Sequence, residues 1–150
     1  MSPDLTTNLK PVAVVSGGSS GIGKAFVATL QKRGYAVVTC GRDPDKLKRL
    51  EAEFPGVEKH VVDVSNAEEM RTFASAVLSA HPKINLLISN AGGLREIDFT
   101  SDALAALDLT SEIRINLEGA ISLISGFLPG LRPTSPTRAD FCDFRGVRTQ

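Results

Sequence analysis

The feature that most constrains the fold is a glycine-rich turn close to the start of the chain. Residues 16–23 read Ser-Gly-Gly-Ser-Ser-Gly-Ile-Gly, directly after the apolar run 12–15 and directly before an amphipathic segment. A strand, a glycine turn and a helix in this order form a phosphate cradle, because the helix N-terminus presents free N–H groups and a partial positive charge. Gly17 permits the tight turn, Gly21 lets a pyrophosphate approach the backbone, and Gly23 lets helix and sheet pack closely. The turn therefore predicts a nucleotide site.

The rest of the chain alternates apolar runs with helical patterns. Further strands are predicted over 36–39, 57–62 and 84–88, with helices between them. Near-continuous apolar strands favour a parallel sheet covered on both faces, and right-handed crossovers then give a Rossmann-like, doubly wound α/β fold. A domain of this kind is predicted over 1–131. An irregular or disordered tail is predicted over 132–150, where neither strand nor helix period is sustained.

Two helix starts carry their own signals. Asp43 followed by Pro44 predicts an N-cap with proline at the first helical position. Ser65 with Glu68 three residues later predicts a capping box for the next helix.

Composition narrows the class of partner. The chain has 17 basic and 17 acidic residues without long runs of one sign, so we expect neither nucleic acid nor an anionic membrane as partner. The N-terminal residues lack a signal pattern, and the uncharged stretch 119–131 is too short to span a bilayer. A cytoplasmic protein with small-molecule partners is expected.

Cysteine and histidine give no sign of a metal. The sequence has two cysteines, Cys40 and Cys142, and two histidines, His60 and His81, without metal-ligand spacing. We predict no metal site, and we predict that both histidines are ordinary surface residues.

A long helical pattern, 110–128, is apolar on more than one side. One face carries Leu117, Ile121, Ile124 and Leu128, and beside it lie Ile113, Ala120, Leu123 and Phe127. The pattern is that of a core helix on the sheet, or of a helix with part of its surface in a homo-oligomer interface around Leu117–Leu128. Both interpretations stay open here.

Motifs spread along the chain together resemble the short-chain dehydrogenase/reductase family. They are Ser16-Gly17 with Gly21-Ile22-Gly23, Asp63-Val64, Asn90-Ala91-Gly92, and Asn116-Leu117-Glu118-Gly119. The resemblance covers residues 9–131. Two departures are mild: Ser16 stands where the family usually has threonine, and Ser89 where it often has a first asparagine.

The resemblance implies a nicotinamide dinucleotide cofactor and a set of binding residues. Asp63 would accept a hydrogen bond from the adenine amino group, Val64 would read the ring edge through its backbone, and Asn90 would brace the central sheet. Asn116 would be catalytic by holding a water in the proton relay. A turn-capping role for Asp63 and a core hydrogen bond for Asn116 are the alternatives. The implied cofactor-binding residues are Ser16, Gly17, Ser19, Ser20, Gly21, Ile22, Gly23, Arg42, Asp63, Val64, Asn90, Ala91 and Gly92.

The end of the second strand carries the marker for cofactor choice. An acidic residue there would bond the ribose 2′-hydroxyl and select NAD, but the position is Gly41, followed by Arg42. A guanidinium can grip a 2′-phosphate with two parallel hydrogen bonds, so NADP is favoured and NAD is less favoured. A solvated arginine is the alternative, and Asp43 would weaken the preference if it turned inward.

The family's remaining catalytic residues have no match in this sequence. They are a serine after the fifth strand and a Tyr-x-x-x-Lys pair, whereas the only tyrosine is Tyr35 and no lysine follows Lys83. We therefore expect the C-terminal half of the fold to be missing and leave open whether the chain is an enzyme. The leading hypothesis is an NADP-preferring oxidoreductase that transfers hydride to a carbonyl or from a secondary alcohol. The alternatives are a catalytically silent NADP-binding or partner-binding module and an inactive fragment.

Overall fold

The computed structural model describes residues 10–93 and 110–131. Strands and helices alternate along the first of these ranges, and the second is helical throughout. The elements are β1 (Val12–Ser16), α1 (Gly21–Lys32), β2 (Ala36–Gly41), α2 (Pro44–Glu53), β3 (Glu58–Val61), α3 (Ala67–Ala80), β4 (Leu86–Ile88), α4 (Ser111–Ile113), a π-helical segment (Arg114–Glu118) and α5 (Gly119–Leu131).

The strands form one parallel four-stranded sheet in the order β3-β2-β1-β4. Every residue of β1 is buried, as expected for a central strand covered on both faces. One apolar core lies between the sheet and helices α3 and α5, where the rings of Phe73 and Phe127 meet edge to face at 5.3 Å. A second core, around Val15 and Val27, lies on the opposite face. The predicted Rossmann-like α/β fold is confirmed.

Two strands are shorter than predicted. β3 begins at Glu58 rather than 57 and ends at Val61, and β4 begins at Leu86 rather than 84. Before β4, Asn85 makes two bonds to Val12: its backbone N–H donates to the Val12 carbonyl, and its side-chain Oδ1 atom accepts from the Val12 N–H, both at 2.9 Å. The apolar residues at the ends of the predicted strands still reach the core, so hydrophobicity alone overestimated the paired length.

One of the two predicted helix starts is confirmed. Asp43 caps α2, since its Oδ1 atom accepts hydrogen bonds from the N–H groups of Asp45 and Lys46, both at 3.0 Å. Pro44 takes the first helical position.

The predicted cap of α3 at Ser65 is wrong by one residue. Asn66 is the cap, and its Oδ1 atom accepts hydrogen bonds from the N–H groups of Glu68 and Glu69. The Ser65 hydroxyl instead donates to Asp63 at 2.7 Å, so it is engaged in the preceding turn. Glu69, not Glu68, is the acidic partner of this cap, because its carboxylate accepts a hydrogen bond from the Asn66 side-chain nitrogen.

Helix α5 resolves the two interpretations of its apolar surface. Leu123 and Phe127 are 1% and 0% exposed and fill the core beside α3. The face formed by Leu117, Ile121, Ile124 and Leu128, called the outer face below, is between 37% and 58% exposed. The core interpretation therefore holds for one side of the helix, and the outer face stays a candidate interface.

The prediction that both histidines are ordinary surface residues is wrong. His60 and His81 are both partly buried and contact the two carboxylate oxygens of Glu58, at 2.7 Å and 2.9 Å. The His60 ring also packs on Phe73 at 5.0 Å. These contacts join the edge strand β3 to the C-terminal end of α3.

The predicted tail, 132–150, lies outside the described residues, so the domain boundary at 131 stays a prediction. In the part of the chain that the structure describes, no helix combines the length and the apolar character needed to cross a membrane. Within the same part, no group of His, Cys, Asp or Glu side chains has the arrangement of a metal site.

Candidate functional site

A cleft of about 240 Å³ opens at the carboxyl ends of the strands. The chain leaves β1 toward β2 on one side and returns to β4 on the other, so the loops after β1 and β4 part at this point. Such a switch point is where open α/β sheets bind their ligands. The lining residues are Gly17, Ser19, Ser20, Gly41, Arg42, Asp43, Lys46, Val62, Val64, Asn90, Ala91, Gly92 and Ile115.

The glycine turn is held close to the loop after β4. Gly17 has φ +70°, and a Cβ atom there would lie 2.9 Å from the Ala91 Cα atom, so a side chain is excluded both by conformation and by space. A Cβ atom on Gly23 would collide with the Gly17 carbonyl and lie 2.5 Å from the Asn90 side-chain nitrogen. The close approach that Gly23 permits is thus between α1 and the turn itself.

Ser16 and Asn90 tie the two loops together by hydrogen bonds in both directions. The Ser16 hydroxyl is buried and accepts hydrogen bonds from the backbone N–H groups of Asn90 and Ala91, both at 3.0 Å. In return, the Asn90 side-chain nitrogen donates to the carbonyls of Ser16 and Gly17 at 3.2 Å and 3.3 Å. These bonds fix the width of the cleft.

The N-terminus of α1 differs from those of α2 and α3. The Ser20 side chain makes no capping bond among the described residues, whereas Asp43 and Asn66 cap their helices. Apart from its chain neighbours and the backbone of α1 itself, no described atom lies within 4 Å of the position that a Cβ atom on Gly21 would take, and the neighbouring Ile22 is 72% exposed. The N-terminus of α1 is therefore not capped by the Ser20 side chain and is open beside Gly21.

Two cations line the cleft beyond β2. Arg42 follows Gly41, and Lys46 lies in the first turn of α2, where the sequence analysis did not identify it. Asp43 lies between them and also lines the cleft; its Oδ1 atom caps α2, and its Oδ2 atom lies 3.8 Å from the Lys46 Nζ atom. Hydrogen bonding to the Lys46 N–H is the main reason that the pKa of Asp43 lies below its usual value.

Asp63 caps a turn, which is the alternative role considered from the sequence. Its Oδ1 atom accepts from both the N–H and the hydroxyl of Ser65, at 2.9 Å and 2.7 Å. Burial raises the pKa of Asp63, but these bonds and the positive charge of Arg42 outweigh burial and hold that pKa below its usual value. Asp63 does not line the cleft, although its neighbours Val62 and Val64 do.

Asn116 lies in the π-helical segment and grips the loop after β4. Its side-chain oxygen accepts from the Gly93 N–H and its side-chain nitrogen donates to the Gly93 carbonyl, both at 2.8 Å. The preceding residue, Ile115, lines the cleft and was not predicted, since its apolar side chain reads as core in the sequence. The Asn116 side chain therefore holds the loop that follows β4 in place.

Cys40 lies beneath the glycine turn and is no candidate nucleophile. Its carbonyl accepts a hydrogen bond from the Gly17 N–H at 2.8 Å, and the residue is fully buried. Burial raises the pKa of the thiol to about 12, so the thiolate does not form at neutral pH.

A parallel sheet with a glycine turn at a helix N-terminus beside its switch point defines a dinucleotide-binding protein of the Rossmann type. The sequence model of the short chain dehydrogenase family matches residues 11–138. The chain therefore belongs to the short-chain dehydrogenase family.

Individual relatives agree with this assignment. The uncharacterized oxidoreductase DltE of Bacillus subtilis is 29% identical over 118 residues, which make up 79% of this chain and 47% of that protein. A short-chain dehydrogenase structure from Streptomyces avermitilis matches with a TM-score of 0.70 at 26% identity, over 81% of this chain and 44% of that one. A metagenomic short-chain oxidoreductase in complex with NADP matches with a TM-score of 0.66 at 33% identity, over 80% and 56%. The chain spans about half the length of the curated relatives it matches.

Proposed function

We propose that this chain is the cofactor-binding half of an oxidoreductase that prefers NADP and acts on a carbonyl or a secondary alcohol. The observation that carries the proposal is the pairing of Gly41 with Arg42 at the end of β2. Lys46 adds a second cation in the same part of the cleft, where it pairs at 3.8 Å with the Asp43 carboxylate that also caps α2. A 2′-phosphate is attracted by this arrangement, whereas an NAD site has a carboxylate at the position of Gly41.

The part of the predicted set that lines the cleft, Gly17, Ser19, Ser20, Arg42, Val64 and 90–92, would hold a dinucleotide, with the rest of the set beside it. The turn 17–23 and the N–H groups of α1 would hold the pyrophosphate, with Ser16 fixing the turn against the Asn90–Gly92 loop along which the ribose would lie. Val64 and a carboxylate oxygen of Asp63 would hold the adenine, since a carboxylate accepts more bonds than the two from Ser65. The nicotinamide, when bound, would give a hydride to a carbonyl in its reduced form or accept one from a secondary alcohol in its oxidised form.

Asn116 is proposed as the catalytic residue of this half. An amide oxygen has two lone pairs and an amide nitrogen has two N–H groups, and the bonds to Gly93 use one of each. The remaining capacity would hold a water for proton transfer to the substrate. The serine and the Tyr-x-x-x-Lys pair that would exchange this proton with the substrate have no match in the described part of the chain.

Titration of the 150-residue chain with NADPH and NADH, followed by the fluorescence of the reduced nicotinamide, tests the cofactor preference. We expect NADPH to bind at least about tenfold more tightly, and Arg42→Ala to remove most of that difference. Arg33→Ala is the matched control, because Arg33 is an exposed arginine at the other end of α1. Equal affinities for the two cofactors would refute the NADP preference.

Gly41→Asp makes a reciprocal test. Gly41 does not have a positive φ, and a Cβ atom there meets only ordinary contacts, 3.4 Å from the Ser19 hydroxyl. The added carboxylate would repel a 2′-phosphate and accept from a 2′-hydroxyl, so we expect NADH to become the preferred cofactor. A variant that keeps its preference for NADPH would place the 2′-phosphate elsewhere.

We also propose that the outer face of α5 pairs with a second copy of the chain. A separate proposal is that the protein works in the cytoplasm without nucleic-acid or membrane partners. Ile121 is 58% exposed near the middle of this face. Light scattering of the wild type and of Ile121→Asp measures the association directly. A monomeric wild type at micromolar concentration would refute the pairing, and localisation of the tagged protein in cells tests the compartment.

A further inference from the structure

The π-helical segment touches both loops that border the cleft. At its centre, Asn116 bonds to the backbone of Gly93, in the loop after β4. Where it passes into α5, Gly119 lies against the loop after β3. One short piece of helix therefore contacts both loops.

The contact at Gly119 leaves no room for a side chain. A Cβ atom on Gly119 would lie 2.8 Å from the Val64 carbonyl oxygen and 3.3 Å from the Val64 Cβ atom. The carbonyl belongs to the backbone, and Val64 is 8% exposed within the core, so neither partner can move aside on its own. Any side chain at position 119 must displace the Val64 loop or push the π-helical segment away from Gly93.

We propose that Gly119 is a positioning residue for the cofactor cleft. Because Gly119 has no side chain, the Asn116 side chain can bond to Gly93 (the Asn116 clamp) while Val64 keeps its place in the cleft lining (the Val64 wall). The inference rests on the proposed function for the ligand, because Val64 is the wall assigned to the adenine end. Gly119 ends the motif Asn116-Leu117-Glu118-Gly119, but the sequence does not indicate what its missing side chain permits, since the residue does not line the cleft.

Gly119→Ala is the direct test, with adenosine 2′,5′-bisphosphate as the probe of the adenine end. Overpacking of this kind is expected to weaken binding of the probe about tenfold, or to speed hydrogen exchange of the Gly93 amide by a similar factor. Gly126→Ala is the matched control, because a Cβ atom there would lie 2.9 Å from the Ala74 Cβ atom, between α3 and α5. Both substitutions lie in α5, gain the same helix propensity and crowd a neighbour outside that helix.

The outcomes separate a positioning role from a purely structural one. A loss of probe affinity or of Gly93 protection in Gly119→Ala, and not in Gly126→Ala, supports the inference. Two variants that shift the unfolding temperature alike and leave the affinity and the Gly93 exchange unchanged overturn it. If the wild type fails to bind the probe, the proposed function fails and this inference falls with it.

A second variant keeps the test decisive if Gly119→Ala does not unfold cooperatively. Asn116→Ala releases the clamp without adding bulk, and its bonds to Gly93 are exposed, so the core stays intact. Because the same segment supports Val64 through Gly119, probe affinity is expected to fall about threefold, a typical size for coupling between neighbouring contacts. Unchanged probe affinity in Asn116→Ala would overturn the proposed link between the two loops.

Discussion

Replacement of Ser16 by alanine removes the acceptor that holds the loop after β4. Two backbone N–H groups, those of Asn90 and Ala91, then lose a hydrogen bond of 3.0 Å each at a hydroxyl that is 1% exposed. An unsatisfied buried donor costs about 1–3 kcal/mol, and since both bonds are only partly buried we take about 1 kcal/mol for each. The free energy of unfolding should fall by about 2 kcal/mol, which lowers the melting temperature of a domain of this size by about 4–8 °C.

Urea unfolding followed by circular dichroism measures this change, and amide hydrogen exchange at Asn90 and Ala91 locates it. Ser16→Thr keeps the hydroxyl and should retain most of the stability. Ser125→Ala is the matched deletion, because the Ser125 hydroxyl donates only within α5 on an exposed side, so its effect should stay within about 0.5 kcal/mol. If Ser16→Ala is as stable as Ser125→Ala, the hydroxyl does not tie the loops together.

Three further predictions follow from single groups. Asp43→Ala should lower the urea midpoint through the lost cap of α2, and an unchanged midpoint would contradict the capping geometry. Burial raises the pKa of Glu58, but hydrogen bonds with His60 and His81 outweigh it and lower that pKa below 4.5. The stability that this carboxylate contributes is present above pH 4.5 and is lost as the pH falls through the folded-state pKa. The wild type should therefore be more stable than Glu58→Gln near neutral pH, by under about 1 kcal/mol because the side chain is 38% exposed, and equally stable in acid. A stability difference that does not change with pH would refute this. Because burial raises the pKa of Cys40 to about 12, a Cys142→Ser variant should react with a thiol reagent only after unfolding, and labelling of the native state would contradict that burial.

The sheet and the turn were predictable because their signals are local. Apolar runs indicate buried strands, and Gly17 and Gly23 stand where backbone conformation or close contact excludes a side chain. The exact cap of α3 was not predictable in this way, since Ser65 and Asn66 are both good capping residues. Only the bond from the Ser65 hydroxyl to Asp63 decides between them, and that bond exists because the chain turns sharply after β3.

Parts of the site that depend on distant segments could not be predicted. Ile115 reaches the cleft from a helix that follows β4 by more than twenty residues, and the pairing of Glu58 with His81 joins residues 23 positions apart. Lys46 is different, because its place could have been found: the confirmed start of α2 at Pro44 puts position 46 in the first helical turn, beside Arg42. A cap predicted from sequence therefore carries information about the cleft as well as about the helix.

The orientation of α5 shows why periodicity alone was insufficient. Apolar residues cover most of its circumference, so the pattern does not say which side enters the core. Glycines decide it, because Gly126 and Gly130 each lie where a Cβ atom would crowd α3, by contact with Ala74 and Leu78. With that side fixed and the Leu123 side already in the core, the outer face cannot turn inward without driving larger side chains into α3. Burial of the outer face therefore requires a surface from outside the described residues.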